Sequence, residues 1–334
     1  MKKNGYTSKL RRNLLCVGMS LATIGGLPSI AFGNTNNYPE RSIRLVLGFP
    51  PGGSTDIVAR IVAEQWGEEL KVPIVVDNKP GANATIGTAF VATSAPDGYT
   101  ITLAGLSPLV TAPLLTKTPY DPIKSFSGIS SVAFTPEVLA IHPDVPAKNL
   151  NELVELSKQR RITISSSGNG GLPHLTIEQL RLKTGGNFLH VPYKGASPAV
   201  SDTVAGHVDA VVMDLPAVLQ FVMSGKLKGI ALFHNQRHQS MPEVATSVEQ
   251  GFPEIQAVNW HAILTPANTD DSKLDVLQKS LLRSIQSPKV QEKLFAAGFV
   301  PFTQTSRQEF TQYLQNEINK WDGVIKASSI KIEN

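Results

Sequence analysis

An α/β fold with mostly parallel sheets, divided between two lobes, follows from three features of the sequence. Short β-branched apolar runs alternate with amphipathic stretches from Arg41 onward, the pattern of βα units. Turns built on Pro and Gly separate them at Asn78-Lys79-Pro80-Gly81, Ala95-Pro96-Asp97-Gly98 and Lys183-Thr184-Gly185-Gly186. Once an N-terminal leader is set aside, about 300 residues remain, enough for two domains of ordinary size.

The leader is read from charge order. Lys2, Lys3, Lys9, Arg11 and Arg12 precede an uncharged run from Leu14 to Phe32, which is the layout of a secretory signal. Gly18, Gly25, Gly26 and Pro28 interrupt the run, so a cleaved signal of residues 1–33 fits better than a membrane anchor. Ala31 and Gly33 suit a cut after Gly33. Arg11-Arg12 leaves both the general and the twin-arginine export route open, and Leu15 before Cys16 argues against a lipoprotein. Cys16 is the one cysteine, so cleavage leaves none, compatible with an oxidising compartment. The expected location is the periplasm.

Charge excludes one class of partner. The whole chain carries +4, but residues 1–33 hold five basic and no acidic side chains, leaving 26 Lys and Arg against 27 Asp and Glu, or −1. A nucleic-acid binder would show a basic footprint. No other run is long and apolar enough to insert in a bilayer after the signal is removed.

Strands are expected at Ser42–Leu47, Ile74–Val76, Thr100–Leu103, Arg161–Ser165, Phe188–Val191, Ala210–Met213, Gly229–Phe233 and Trp260–Leu264. Between them, Ile57, Val58, Ile61, Val62 and Trp66 keep helical spacing on one face, as do Leu150, Leu153, Val154 and Leu156. With no repeat, low-complexity tract or long linker, the lobes must be joined by ordered crossings, placed at Val138–Ile141 and around Trp260–Pro266. Lobe one is then residues 38–139 plus 265–334, and lobe two 140–264.

Two loops carry the chemistry. Gly48-Phe49-Pro50-Pro51-Gly52-Gly53-Ser54-Thr55-Asp56 leaves a strand and enters a helix. There, stiff prolines, bare glycine backbone and the first-turn N–H groups of the helix can cradle an anion without Lys or Arg. The alternative is that Ser54 or Thr55 only caps the helix. The loop lacks both Gly-Lys-Ser/Thr and GxGxxG spacing. In lobe two, Ser166-Ser167-Gly168-Asn169-Gly170-Gly171-Leu172-Pro173-His174 repeats the arrangement. His174 either touches the ligand or orients the loop. Two further segments of lobe two fall at strand ends. In one, Lys194 and Gly195 follow Tyr193, and Lys194 is either a charge partner or a solvated side chain. In the other, Asp214 ends an apolar strand, where a carboxylate needs loop N–H groups or a ligand. Gly105 and Ser107 are the corresponding strand end in lobe one. No HExxH, CxxC, GxSxG or paired-carboxylate spacing is present, and the histidines follow no metal pattern, so no catalytic residue, metal or cofactor is expected.

Ordered motifs then make the resemblance specific: Tyr38-Pro39, Phe49-Pro50-Pro51-Gly52-Gly53-x-x-Asp56, Asn78-x-Pro80-Gly81-Ala82, Pro96-Asp97-Gly98-Tyr99-Thr100, Tyr120-Asp121-Pro122, Ser166-x-Gly168-x-Gly170 with His174-Leu175, and His190-Val191-Pro192-Tyr193-Lys194-Gly195. The chain resembles the Bug family, the extracytoplasmic solute receptors of tripartite tricarboxylate transporters, over essentially its whole mature length. The resemblance implies a type II periplasmic-binding-protein fold of two α/β lobes with a ligand cleft between them. It also implies a monomer that delivers a small organic carboxylate to membrane transporter subunits, with no cofactor. Carried over by position, Phe49, Gly52, Gly53, Ser54 and Asp56 would hold the carboxylate from one lobe, and Ser166, Gly168, Gly170 and His174 from the other. Departures from the family pattern are Gly48 for Val-Pro, Asn83-Ala84 for Gly-Gly, Met213 for an acidic or amide residue, and Ala262 for Gly. The rival readings are a secreted hydrolase, with Ser54 or Ser166 as nucleophile and His174 as base, and a receptor for a signalling kinase.

Overall fold

The protein is seen here as a computed structural model that describes residues 37–304, 306–328 and 330, so the leader expected over 1–33 lies outside the described residues. The first sheet grows from β1 (Ile43–Leu47), which pairs in parallel with β2 (Ile74–Asn78) and β3 (Thr100–Gly105). Period-two alternation sorts β1 between two cores. Ile43, Leu45 and Leu47 pack with Val58, Val62 and Trp66 of α1 (Ser54–Leu70), while Val46 packs with Val91 of α2 (Thr85–Ala92). A four-residue α3 (Ala112–Leu115) follows a π-helical turn at Ser107–Thr111.

The longest strand, β4 (Phe126–Ile141), was expected only over its last four residues, as a crossing. Its first half is rich in Ser and Gly and is broken by register shifts at Gly128/Ser130 and Ser131/Ala133, which hides the alternation that marks a strand. It connects two sheets. Up to Pro136 it runs antiparallel to β9 (Val258–Pro266), and from Glu137 onward antiparallel to β7 (Ala210–Asp214). Pro136, with no N–H to donate, sits where the strand changes partners, so its missing donor costs little there.

The second sheet places β5 (Ile162–Ser166) between β6 (Phe188–Pro192) and β7 in parallel, with β8 (Lys228–Leu232) antiparallel to β4. Around it lie α4 (Leu150–Gln159), α5 (Leu172–Thr184), α6 (Ala196–Val204) and α7 (Leu215–Met223). Each sheet is therefore mixed, not mostly parallel: its βα units are parallel, and β9 runs against them in the first sheet and β4 in the second. The sequence reading counted Trp260–Leu264 with lobe two. β9 in fact pairs with β3 and β4, inside the first sheet.

The C-terminal helices close the first sheet. α8 (Asp271–Gln286) and α9 (Pro288–Ala296) pack on α1, where the buried Trp66 Nε1 donates to Ser280 Oγ at 2.8 Å. The two-residue β10 (Val300–Pro301) pairs with β4. α10 (Arg307–Ser328) sets Phe310, Leu314, Trp321 and Ile325 in the same core as Leu175 and Leu180 of α5, and so ties the chain end to both sheets. Each such fully buried side chain contributes about 1.5–3 kcal/mol.

Candidate functional site

Both glycine loops lie where a strand feeds a helix, and the two are held by different chemistry. In the first loop Asp56, buried to 3% exposure, turns back on its own strand exit. Its carboxylate accepts the Gly52 N–H at 3.0 Å, Arg60 Nε at 2.8 Å and Asn78 Nδ2 at 3.1 Å, and the same amide donates to the Phe49 carbonyl at 3.0 Å. The Arg60 guanidinium outweighs burial and, with the Gly52 and Asn78 donors, pulls the Asp56 carboxyl down to about 2. Asp56 therefore organises the loop from behind.

In the second loop, Ser166 Oγ meets His190 Nε2 at 2.5 Å, and His174 Nδ1 accepts the Gly170 N–H at 3.0 Å. That bond assigns the His174 proton to Nε2. The two imidazoles stack, with centroids 3.8 Å apart and planes 14° from parallel. Burial lowers both, and the His174 charge helps to bring His190 to about 3, so the stack is neutral at neutral pH. The Tyr193 and Gly195 N–H groups donate to the Ser166 and Ser167 carbonyls, fastening the loop to the segment after β6.

The loops face a cavity of about 430 Å³. Phe49, Thr55, Asn83, Gly105, Leu106 and Ser107 line it from the first sheet's loops, and Ser167–Pro173 from the second's. Asn259 and His261 of β9 complete it. Among the described residues, fifteen line the cavity and none of them is Lys, Arg, Asp or Glu. His261 is buried, contacts Thr55 Oγ1 through Nε2 at 3.2 Å, and is brought by burial to about 4, hence neutral. The first turns of α1 and α5 have no side-chain cap, which leaves their N–H groups for the cavity or solvent. Beside the cavity, Ser54 Oγ donates to Asp214 Oδ2 at 2.8 Å, a bond from the first sheet's loop to the end of β7 in the second. Burial raises Asp214, and raises its strand neighbour Glu137 well above the carboxylate range with help from the Asp214 charge.

Of the residues singled out from sequence, Phe49, Gly105, Ser107, Gly168 and Gly170 line the cavity. Gly52, Gly53, Ser54, Asp56, Ser166, His174, Lys194, Gly195 and Asp214 do not; the bonded ones among them shape the loops from behind. Of the ten lining residues not singled out, Thr55, Leu106 and five within Ser167–Pro173 lie in segments the sequence reading named, whereas it missed Asn83, Asn259 and His261 as lining residues. The last two were legible in principle, since alternation along β9 puts Asn259 and His261 on one face and Trp260 on the other. Among the described residues, no group of His, Cys, Asp and Glu could hold a metal ion, and no helix is long and apolar enough to cross a membrane.

Comparison with known proteins agrees with this geometry. A model of the family described as tripartite tricarboxylate transporter family receptor matches residues 58–330. Protein BugT of Bordetella pertussis is 34% identical over 97% of this chain and 99% of its own. The solved structure of the periplasmic binding protein BugD is 33% identical with a TM-score of 0.75, over 89% of this chain and 100% of that one. That of R. palustris Rpa4515 with adipate is 27% identical with a TM-score of 0.78, over 88% of this chain and 99% of that one. The fold is thus that of the periplasmic binding proteins, and the chain belongs to the tripartite tricarboxylate transporter family of solute-binding receptors.

Proposed function

We propose that this protein is a periplasmic receptor that holds a small organic carboxylate in the cavity between its two lobes and hands it to a membrane transport partner. The observation that carries this reading is a cavity with no charged side chain, reached by the uncapped first turns of two helices, one from each sheet. Such a surface stabilises an anion through N–H groups and hydroxyls, without the tight ion pair that would slow release. Rpa4515, solved with adipate, supports the ligand class. The lobes meet near residues 137 and 258 in this reading, which the change of partner along β4 and the start of β9 support. The leader is removed on export, and the mature chain works as a monomer without a cofactor.

The receptor reading also fits the two serines better than hydrolysis does. Ser54 donates to a carboxylate, and Ser166 is fully buried against His190, outside the cavity lining. The test is a thermal-shift screen of residues 34–334 against organic acids, amino acids and sugars, with ligand recovery checked by NMR. A carboxylate present at 100 times its Kd should stabilise the fold by about 2.7 kcal/mol and be recovered unchanged. A hit that is consumed, or a sugar as the sole hit, would overturn the proposal.

A further inference from the structure

Between β2 and α2, Ala82, Asn83 and Ala84 have φ of 46°, 53° and 70°, three consecutive non-glycine residues in the left-handed region. L-residues adopt that region at a cost, Asn least of all. Strain of this kind persists only where surrounding contacts over-determine it, and it clusters at binding sites. The contacts are present. Thr85 donates to the Ala82 carbonyl through N at 3.1 Å and Oγ1 at 2.7 Å, Ser107 Oγ to the Asn83 carbonyl at 3.3 Å, and Thr88 Oγ1 to the Ala84 carbonyl at 2.9 Å.

Every carbonyl of the turn is therefore tied down, while Asn83 is exposed and lines the cavity, and its side chain has no hydrogen-bond partner among the described residues. Room for the turn comes from Gly48. A Cβ at position 48 would fall well inside contact distance of the Cβ, Cα and carbonyl oxygen of Ala84, and no rotamer relieves a clash with backbone. Gly48 also leads directly into Phe49, so two parts of the cavity wall interlock at this one contact.

We propose that Asn83 is a specificity-determining ligand contact: the strained turn, made possible by Gly48, presents its free amide to the cavity, where the NH2 group donates to an acceptor oxygen of the bound acid. This rests on the cavity being the carboxylate site. A neutral amide suits that role in a cavity without cations, because it donates to an anion yet adds no charge that would hold the ligand after the lobes part.

Calorimetry on the mature chain with malate, succinate, adipate and glutamate as probes tests it. Asn83→Gly is the informative variant, since glycine accepts the left-handed φ and removes only the amide. For the tightest-binding probe it should weaken affinity at least fivefold and change the rank order of the four acids, a shift that loosening of the fold alone would not produce. Asn83→Asp should weaken diacid binding at least tenfold, by placing a carboxylate against a carboxylate. Gly48→Ala, which displaces the turn, should cost about as much as Asn83→Gly, and the double variant should be no weaker than Gly48→Ala alone, because both act through one side chain. Thermal melts identify any variant that fails to fold, and Asn83→Gly alone then decides.

Gly170→Val, on the opposite wall, separates the two readings. If it abolishes binding while Asn83→Gly leaves affinity and rank order unchanged, the cavity stands and this inference falls. If no probe binds the wild type, or Gly170→Val binds normally, the carboxylate reading of the cavity falls and takes this inference with it.

Discussion

The two glycine loops look alike in sequence, and the structure fastens them by opposite means. Phe49–Asp56 is held by an ion pair, with Asp56 bonded to Arg60 and to the loop's own N–H. Ser166–His174 is held by a neutral stack, with His190 on Ser166 and His174 on the Gly170 N–H. Neither fastening group lines the cavity. The lesson is that a cavity without charges is still built by charged and titratable residues one layer behind it, and that the two walls should fail under different conditions.

The largest effect is expected where the second loop meets the ligand. Gly170 has φ of 73° and lines the cavity, and its N–H is committed to His174. A β-branched side chain there is strained and also fills space beside the ligand. Gly170→Val should abolish measurable binding, a loss of more than about 3 kcal/mol by calorimetry. Binding at wild-type affinity would mean that this wall is not part of the site.

Acid should separate the walls next. The histidines of the stack are depressed below their ordinary value, His190 to about 3. Below pH 6.5 the unfolded chain therefore takes up protons that the folded chain refuses. The stack's contribution is full above that pH and is lost as pH falls toward 3. Asp56 is a carboxylate lowered to about 2, so its contribution is full above about 4 and lost only as pH falls through 2. Between pH 6.5 and 4.5 acidification should leave the Asp56 fastening intact and weaken the stack, His190 accounting for about 2 kcal/mol of lost unfolding free energy in urea titrations, while His261, brought to about 4, adds its own loss beside Thr55. His190→Asn should flatten that dependence, and an unchanged slope in this variant would remove the stack as its source.

How much of this could be read beforehand differs by layer. Both loops, and the strands that deliver them, were legible because Pro, Gly and β-branched residues act locally, and local chemistry is visible in one chain. The first half of β4 was not, since its Ser and Gly residues and register shifts become a strand only against β9, a partner more than a hundred residues away. Separation along the chain also hid the supports: His190 lies 24 residues beyond Ser166 and Asp214 lies 160 beyond Ser54, and nothing beside either serine announces its partner. Asp56 was expected to touch the ligand because it sits in the loop. Its Arg60 partner, four residues on, was the available sign that it serves the loop instead.

Asp56→Ala sharpens the comparison at the first wall. It would remove the acceptor of the Gly52 N–H and one of the two acceptors of the Asn78 amide, and free Arg60, whose head is half in solvent. Hydrogen bonds to a charged group contribute about 1.5–3 kcal/mol, so a loss of about 2 kcal/mol in stability and about tenfold in affinity is expected. Asp56→Asn should recover part of both, because an amide oxygen still accepts the Gly52 N–H. If Asp56→Ala weakens binding while stability and melting stay at wild-type values, Asp56 contacts the ligand after all.

The smallest effect concerns the Ser54 bond to Asp214, which joins the walls alongside the Asn259 contact. Ser54 begins α1 on one side, Asp214 ends β7 on the other, and the hydroxyl donates across at 2.8 Å. Asp214 keeps a second donor in the Asn259 side chain and lies beside Glu137, whose carboxyl burial raises well above its ordinary value. Ser54→Ala removes one hydrogen bond to a carboxylate without orphaning it, which should cost about 1 kcal/mol. Because the bond exists only while the lobes are together, that cost falls on the closed form and shifts the opening equilibrium about fivefold. Apparent Kd should rise by that factor with no change in the preference among acids, and small-angle scattering of the unliganded variant should show a larger radius of gyration. A fivefold weaker Kd with an unaltered radius would mean that Ser54 acts on the ligand and not on closure; an unchanged Kd would mean that Asn259 alone holds Asp214 and that the bond to Ser54 adds nothing to the closed form.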